Sequence, residues 1–116
     1  MGNFNRHVVY YKNYYLDFFN EQTEDVKKKF NWTLGLIKTI EHVPSKYLKH
    51  MEGTDGLYEI RVEVGSNIFR VFSFFDVGRL IILVNGFQKK SQKTPKQEIE
   101  LANKLKKEYY NEKQNQ

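Results

Sequence analysis

The sequence contains no cysteine, only two prolines and no apolar run long enough to enter a bilayer. Each absence removes a class of protein. Without cysteine there is no disulfide framework, thiol nucleophile or zinc–thiolate site, which suits a reducing cytoplasm. A membrane helix takes about 18 or more consecutive apolar residues, and no such run occurs. The opening MGNFNRHVVYYKNYY lacks the unbroken apolar segment and small-residue cleavage site of a secretory signal. Its sixth residue is not the Ser or Thr that N-myristoylation requires. The expectation is a cytoplasmic protein with no membrane association. Catalytic chemistry is narrowed too. There is no Gly-rich phosphate loop, G-x-S-x-G elbow, H-x-x-x-H pair or paired-carboxylate spacing. His7, His42 and His50 lie on separate segments, so neither a metal nor another cofactor is expected.

What is present is aromatic and basic. At 116 residues the chain is the size of one domain, here read as 1–116. With 40% hydrophobic and 16% aromatic residues it can bury a core, much of it from nine Phe and eight Tyr. The net charge of +5 and pI near 9.3 point to an anionic partner such as nucleic acid.

Periodicity divides the chain. HVVYY (7–11) reads as a first strand and YYLDFFNEQ as a short helix. Thr23 then serves as N-cap of a longer helix whose stripe is Val26, Phe30, Leu34, Ile37 and Ile40, with Lys27, Lys28 and Lys29 opposite. That helix is expected to stop before Pro44, because the residue preceding proline avoids the α region. KYLKHMEGTDG reads as a linker. LYEIRVEV alternates, with Glu59, Arg61 and Glu63 on one face and Tyr58, Ile60, Val62 and Val64 on the other. IFRVFSFF follows a GSN turn, and LIILVNGF, apolar on both faces, reads as a covered central strand. From Thr94, with Pro95 at the first helical position and Gln97 completing a capping box, a last helix presents Ile99, Ala102, Leu105 and Tyr109, and 111–116 should fray. The predicted order is β-α-α-β-β-β-α, an α+β domain with an antiparallel meander and helices mainly on one face.

Two features point to chemistry. Arg70 lies in an apolar strand between Phe69 and Val71, where an unpaired guanidinium would be costly to bury. A loop of Gly65, Ser66 and Asn67 would turn Arg70 away from Arg61. A loop of Ser66 and Asn67 alone would set Arg70 opposite Glu63 and diagonal to Arg61 on one face, and is the preferred register. Arg70 then serves either an anion site or an internal ion pair with Glu59 or Glu63. The second feature is the run of Lys89, Lys90, Lys93 and Lys96 between a strand end and a helix N-terminus. Lysines there oppose the helix dipole, while the free backbone N–H groups suit a phosphate. The run reads either as a phosphate-binding patch or as a solvated loop. Phe87 is core or a stacking surface, and His50, beside Lys49, is a solvated side chain or a base.

GLYEIRV, FRVFSFFD and above all NGFQKKSQKTPKQEIELA closely resemble the phage-derived HigB-like branch of the RelE/ParE toxin superfamily, from YLDFF to the last helix. The resemblance implies a RelE-like fold: one or two helices, an antiparallel sheet and a C-terminal helix. It implies a type II toxin–antitoxin toxin that enters the ribosomal A site and cleaves mRNA without a metal. The partners implied are the 70S ribosome, mRNA and a helix-turn-helix antitoxin, with the free toxin monomeric. The family's catalytic arginine falls on Arg70, with Phe69 in place of its tyrosine. The basic residue of the preceding strand falls on Arg61, and those after the last strand's glycine on Lys89 and Lys90. Phe87 and Gln88 stand where better-known members carry His or Tyr, so Glu59 and His50 are the candidates for the base. Phe87, Lys49, Lys93 and Lys96 become RNA contacts, and Lys27, Lys28, Lys29 and Lys46, with Lys49, contacts to ribosomal RNA. The superfamily also contains ParE-like gyrase poisons, and a non-catalytic RNA- or ribosome-binding module would share the same basic patch.

Overall fold

A computed structural model describes residues 5–115. The lipidation reading at the N-terminus and the last residue of the expected frayed tail fall partly or wholly outside that range. The period-two segments become strands and the period-3.6 segments helices: β1 (His7–Tyr10), α1 (Tyr14–Asn20), α2 (Glu24–Thr39), β2 (Leu48–His50), β3 (Tyr58–Val64), β4 (Asn67–Phe75), β5 (Leu80–Lys89) and α3 (Lys96–Gln114). This is the expected α+β class, a small RelE-like arrangement of three helices and a five-stranded, mostly antiparallel sheet. Among the described residues, no helix is long and apolar enough to cross a membrane.

Three departures from the sequence reading have physical causes. The segment read as a linker contains β2, paired antiparallel with β3 through Leu48–Ile60, Lys49–Glu59 and His50–Tyr58. Three residues are too few to show alternation, and backbone pairing at the sheet edge is what forms the strand. Next, β1 runs parallel to its neighbour β5, in the strand order β1-β5-β4-β3-β2, so the sheet is not wholly antiparallel. Finally, the helices cover both faces. Phe30 and Ile37 of α2 join Ile60, Val62, Phe69, Val71, Ile81 and Leu83 in one core cluster. Ala102 and Leu105 of α3 join Leu57, Phe72, Phe74, Ile82, Val84 and Phe87 in another, so strands apolar on both sides are covered on both sides.

The helix ends follow local chemistry. Thr23 caps α2 as expected, its hydroxyl accepting from the Val26 N–H at 3.5 Å. That helix stops at Thr39, well before Pro44, where the Arg6 guanidinium donates to the carbonyls of Ile37, Ile40 and Glu41 at 3.0, 2.8 and 2.8 Å. α3 starts one residue later than read, with Pro95 at the N-cap and no side-chain cap. It stays helical to Gln114 where fraying from Asn111 was expected. Asp76 anchors that end, accepting from the Tyr109 hydroxyl at 2.5 Å and the Lys113 ammonium at 2.6 Å. These bonds, Lys113 first, hold the Asp76 carboxyl below its ordinary value. Burial and then the Asp76 bond push the Tyr109 hydroxyl up to about 12.

Two irregularities in the strands set the functional face. The β3–β4 hairpin closes on the two residues Gly65 and Ser66, with Gly65 at φ 61°, a conformation that costs glycine little. Val64 therefore pairs with Asn67, and Arg61 stands directly opposite Arg70. Neither expected register occurs. The observed one lies two positions from the preferred one, so the arginines still share a face but are direct rather than diagonal neighbours. Between the pairs Val71–Gly86 and Ser73–Leu83, β5 advances one residue more than β4, a bulge at Val84–Asn85. Gly86, beside the bulge, lies under the Phe18 ring of α1, and a methyl group there would stand 2.6 Å from Phe18 Cδ2. Gly86→Ala should therefore destabilise the protein by about 1–3 kcal/mol through overpacking. Denaturant unfolding measures this, and an unchanged midpoint would show that Phe18 moves aside freely.

Candidate functional site

Alternation along β3 turns Glu59, Arg61 and Glu63 to the α3 side of the sheet. On β4 the residues of that side are Ile68, Arg70, Phe72 and Phe74. Without the bulge, Val84 and Gly86 would share a side on β5. With it, Val84 and Phe87 do, and Lys89 follows onto the same side. Rows of cross-strand neighbours result: Lys49–Glu59–Phe72, Arg61–Arg70–Phe87 and Glu63–Ile68–Lys89. α3 packs over Phe72, Phe74 and Phe87, while beside them Arg70 and Glu59 are buried and Arg61 and Lys89 partly exposed.

One carboxylate organises the charges. Glu59 Oε1 lies 3.9 Å from Arg61 Nε and 4.0 Å from Arg70 Nε. Its Oε2 accepts from the Thr94 hydroxyl at 3.4 Å. Arg70, only 3% exposed, also donates from Nη1 to the Phe69 carbonyl at 3.0 Å, and Arg61 donates from Nη1 to the Ser45 carbonyl at 3.5 Å. The Nε groups of both arginines are buried and make no hydrogen bond among the described residues. Burial, then the like charge of Arg61, holds the Arg70 guanidinium below its ordinary value, against the pull of Glu59 and Glu63. The internal ion pair weighed from the sequence thus exists with Glu59, and Glu63 on the same side adds a second, more distant negative charge. With Lys89 and Lys49 on the same side, the face as a whole is positive, which suits an anion.

The remaining sequence candidates divide. Lys89, at the end of β5, is half-buried on the arginine side, and Lys49 is exposed on that side beside Glu59. Lys90, Lys93 and Lys96 are exposed along the connection to α3, where Lys96 stands 3.9 Å from Glu100. Phe87 is core: it is 8% exposed and packs at 5.4 Å on the Phe72 ring, so no base stacks on it in this arrangement. His50 is not brought to the site. It pairs with Tyr58 on the opposite side of the sheet, its ring 5.2 Å from the Tyr58 ring, which in turn meets Phe75.

Sequence reasoning missed two positioning residues. Thr94, read as a helix cap, has its hydroxyl engaged by Glu59, which ties the lysine-bearing connection to the arginine pair. Asn85 occupies the bulge, 3% exposed, and donates through Nδ2 to the carbonyl and to Oε1 of Glu98, both at 3.0 Å. A lone amide within LIILVNGF was the available signal, since a polar side chain there needs a partner.

Residues 17–107 match the family described as "Phage derived protein Gp49-like (DUF891)". The chain belongs to that family. Gp49-like proteins are a toxin–antitoxin toxin family, and the matched span takes in every candidate residue from Lys49 to Lys96. Among curated proteins, none matches the chain.

The charge arrangement of this Gp49-like protein sets an expectation. Glu59→Gln should lower the unfolding free energy by about 1–3 kcal/mol, because the buried Arg70 and the partly exposed Arg61 lose their shared counter-charge. Inorganic phosphate should restore more of that loss than it adds to the unaltered protein. Denaturant unfolding with and without phosphate measures both effects. A variant as stable as the parent and indifferent to phosphate would mean that the arginines carry no uncompensated charge.

Proposed function

We propose that this Gp49-like protein is the toxin of a type II toxin–antitoxin system, and that it cleaves translated mRNA in the ribosomal A site. The observation that carries the reading is the direct cross-strand pairing of Arg61 and Arg70 on the α3 side of the sheet, with Lys89 on the same face and further lysines beside it. Planar guanidiniums match the oxygens of a phosphodiester and suit the charge that grows on a phosphorane-like transition state.

In the proposed reaction the 2′-hydroxyl attacks the adjacent phosphorus. The bond from the 2′-oxygen to phosphorus forms, and the bond from phosphorus to the 5′-oxygen breaks. Glu59 accepts the hydroxyl proton, and the Lys89 ammonium donates a proton to the departing 5′-oxygen. The products are a 2′,3′-cyclic phosphate and a free 5′-hydroxyl. Arg61 and Arg70 hold the non-bridging oxygens and, with Thr94, keep the Glu59 carboxylate in place. Much of the rate comes from aligning the 2′-hydroxyl on the ribosome. Lys90, Lys93, Lys96 and Lys49 supply salt-sensitive attraction to the RNA backbone. The free toxin acts as a monomer in the cytoplasm and is neutralised by a small helix-turn-helix antitoxin.

Induced expression without an antitoxin should arrest growth, with primer extension revealing cuts confined to translated regions. Arg70→Ala should reduce cleavage by roughly 10²–10³-fold, the usual loss for one transition-state donor, while circular dichroism still reports a folded chain. Arrest with intact mRNA and damaged DNA would favour a gyrase poison. Ribosome binding without any cuts would favour a non-catalytic module.

A further inference from the structure

The side of the domain next to Arg61 carries a second feature that the proposed chemistry does not use. β2 pairs with β3 only over Tyr58–Ile60, so among the described residues the outer edge of β3 from Val62 onward carries no strand. Across that edge stands Trp32 of α2, half exposed at 50%. The Tyr47 ring meets it edge-on at 5.5 Å, and the Lys29 ammonium lies 4.5 Å from its ring centre. Lys46 lies 5.7 Å from the Tyr47 ring. A depression of about 210 Å³ between Arg61, Tyr47, Lys46 and Lys29 opens into one of about 540 Å³ that reaches Trp32, the two sharing Lys29 and Glu63. The trough therefore begins at one of the two arginines and ends on an exposed indole.

We propose that this trough is a binding track for single-stranded RNA, with bases stacking on Trp32 and Tyr47 and the backbone running along Lys29, Lys46 and Arg61. The proposal rests on the nuclease reading for the identity of the nucleic acid and extends it to a surface beyond the arginine pair. Charge selects this occupant. Lys28, Lys29, Lys46 and Arg61 line the trough against Asp25 and Glu63, an excess that suits a polyanion. Cations interleaved with exposed rings are the general form of a single-strand site, since every base offers a face to stack. A protein segment adding to the free edge of β3 would use the backbone of Val62–Val64 and would not need the lysine-flanked rings beyond it.

Trp32 is the one tryptophan of the chain, so its fluorescence reports on this surface alone. The probe is a short 2′-O-methyl oligoribonucleotide, which lacks the attacking hydroxyl and cannot be cut. At low salt, titration should quench Trp32 emission. Anisotropy of the labelled oligonucleotide should show affinity falling roughly five- to hundredfold in Trp32→Ala. Lys29→Ala should weaken binding less and flatten its salt dependence by about one unit of log–log slope if one phosphate contact is lost. Trp32 is exposed, so a folded variant is expected, and its unfolding curve checks this. Binding with unchanged emission and unchanged affinity in Trp32→Ala would overturn the proposal, as would no binding at low salt. Quenching by an antitoxin but not by the oligonucleotide would overturn it too. No cleavage enters this experiment, so loss of the nuclease reading alone would leave the quenching in place.

Discussion

A single carboxylate set between two opposed guanidiniums is the constraint on which this face depends. Side by side on an antiparallel ladder, Arg61 and Arg70 repel each other, and burial sharpens that repulsion. Glu59 offsets part of it from within 4.0 Å, and Thr94 holds the carboxylate from the other side. The remaining positive charge is not relieved by any hydrogen bond to the Nε groups. A fold seldom keeps such a conflict for stability, because a buried ion cluster is often no better than an apolar one of the same shape. A site for an anion gives it a reason.

Backbone details make that pairing possible. The two-residue hairpin at Gly65–Ser66 puts the arginines in register. The bulge at Val84–Asn85 turns Phe87 and Lys89 toward them. Asn85 links the bulge to Glu98 in the first turn of α3, so the last helix and the last strand are fixed to each other where the lysine-bearing connection leaves the sheet. The chemistry proposed for Lys89 needs this rigidity, because a general acid works only within reach of its leaving group. The exposed Lys90, Lys93 and Lys96 need no such precision to attract a polyanion.

Much of the fold was legible because long amphipathic segments state their own type: the alternation of β3, the stripe of α2 and the doubly apolar β5 all became the elements their patterns describe. What stayed hidden depends on partners distant in sequence. β2 exists through pairing with Ile60 and its neighbours, β1 is parallel because of where β5 lies, and α2 ends where Arg6 reaches its carbonyls. In the site, strand parity grouped Arg61 with Glu59, and Arg70 with them in the preferred register; Lys89 stood out only as part of the lysine run, because it takes the bulge to turn it to that face. Parity also separates His50 from them, one residue along from Lys49, but only once β2 is known to be a strand. Phe87 was ambiguous because an aromatic at a strand end suits both core and base stacking, and the Phe72 ring decides for core.

The arginine face is proposed to catalyse attack by an RNA 2′-hydroxyl. The most direct measurement is the single-turnover rate on ribosomes carrying an mRNA with one 2′-deoxynucleotide on the 5′ side of the scissile phosphate, compared with the all-ribose message. Normal binding with no cut at the substituted position is expected, together with cuts ending in 2′,3′-cyclic phosphate on the all-ribose message. Cleavage of the deoxy-substituted message at the same position and rate would contradict it.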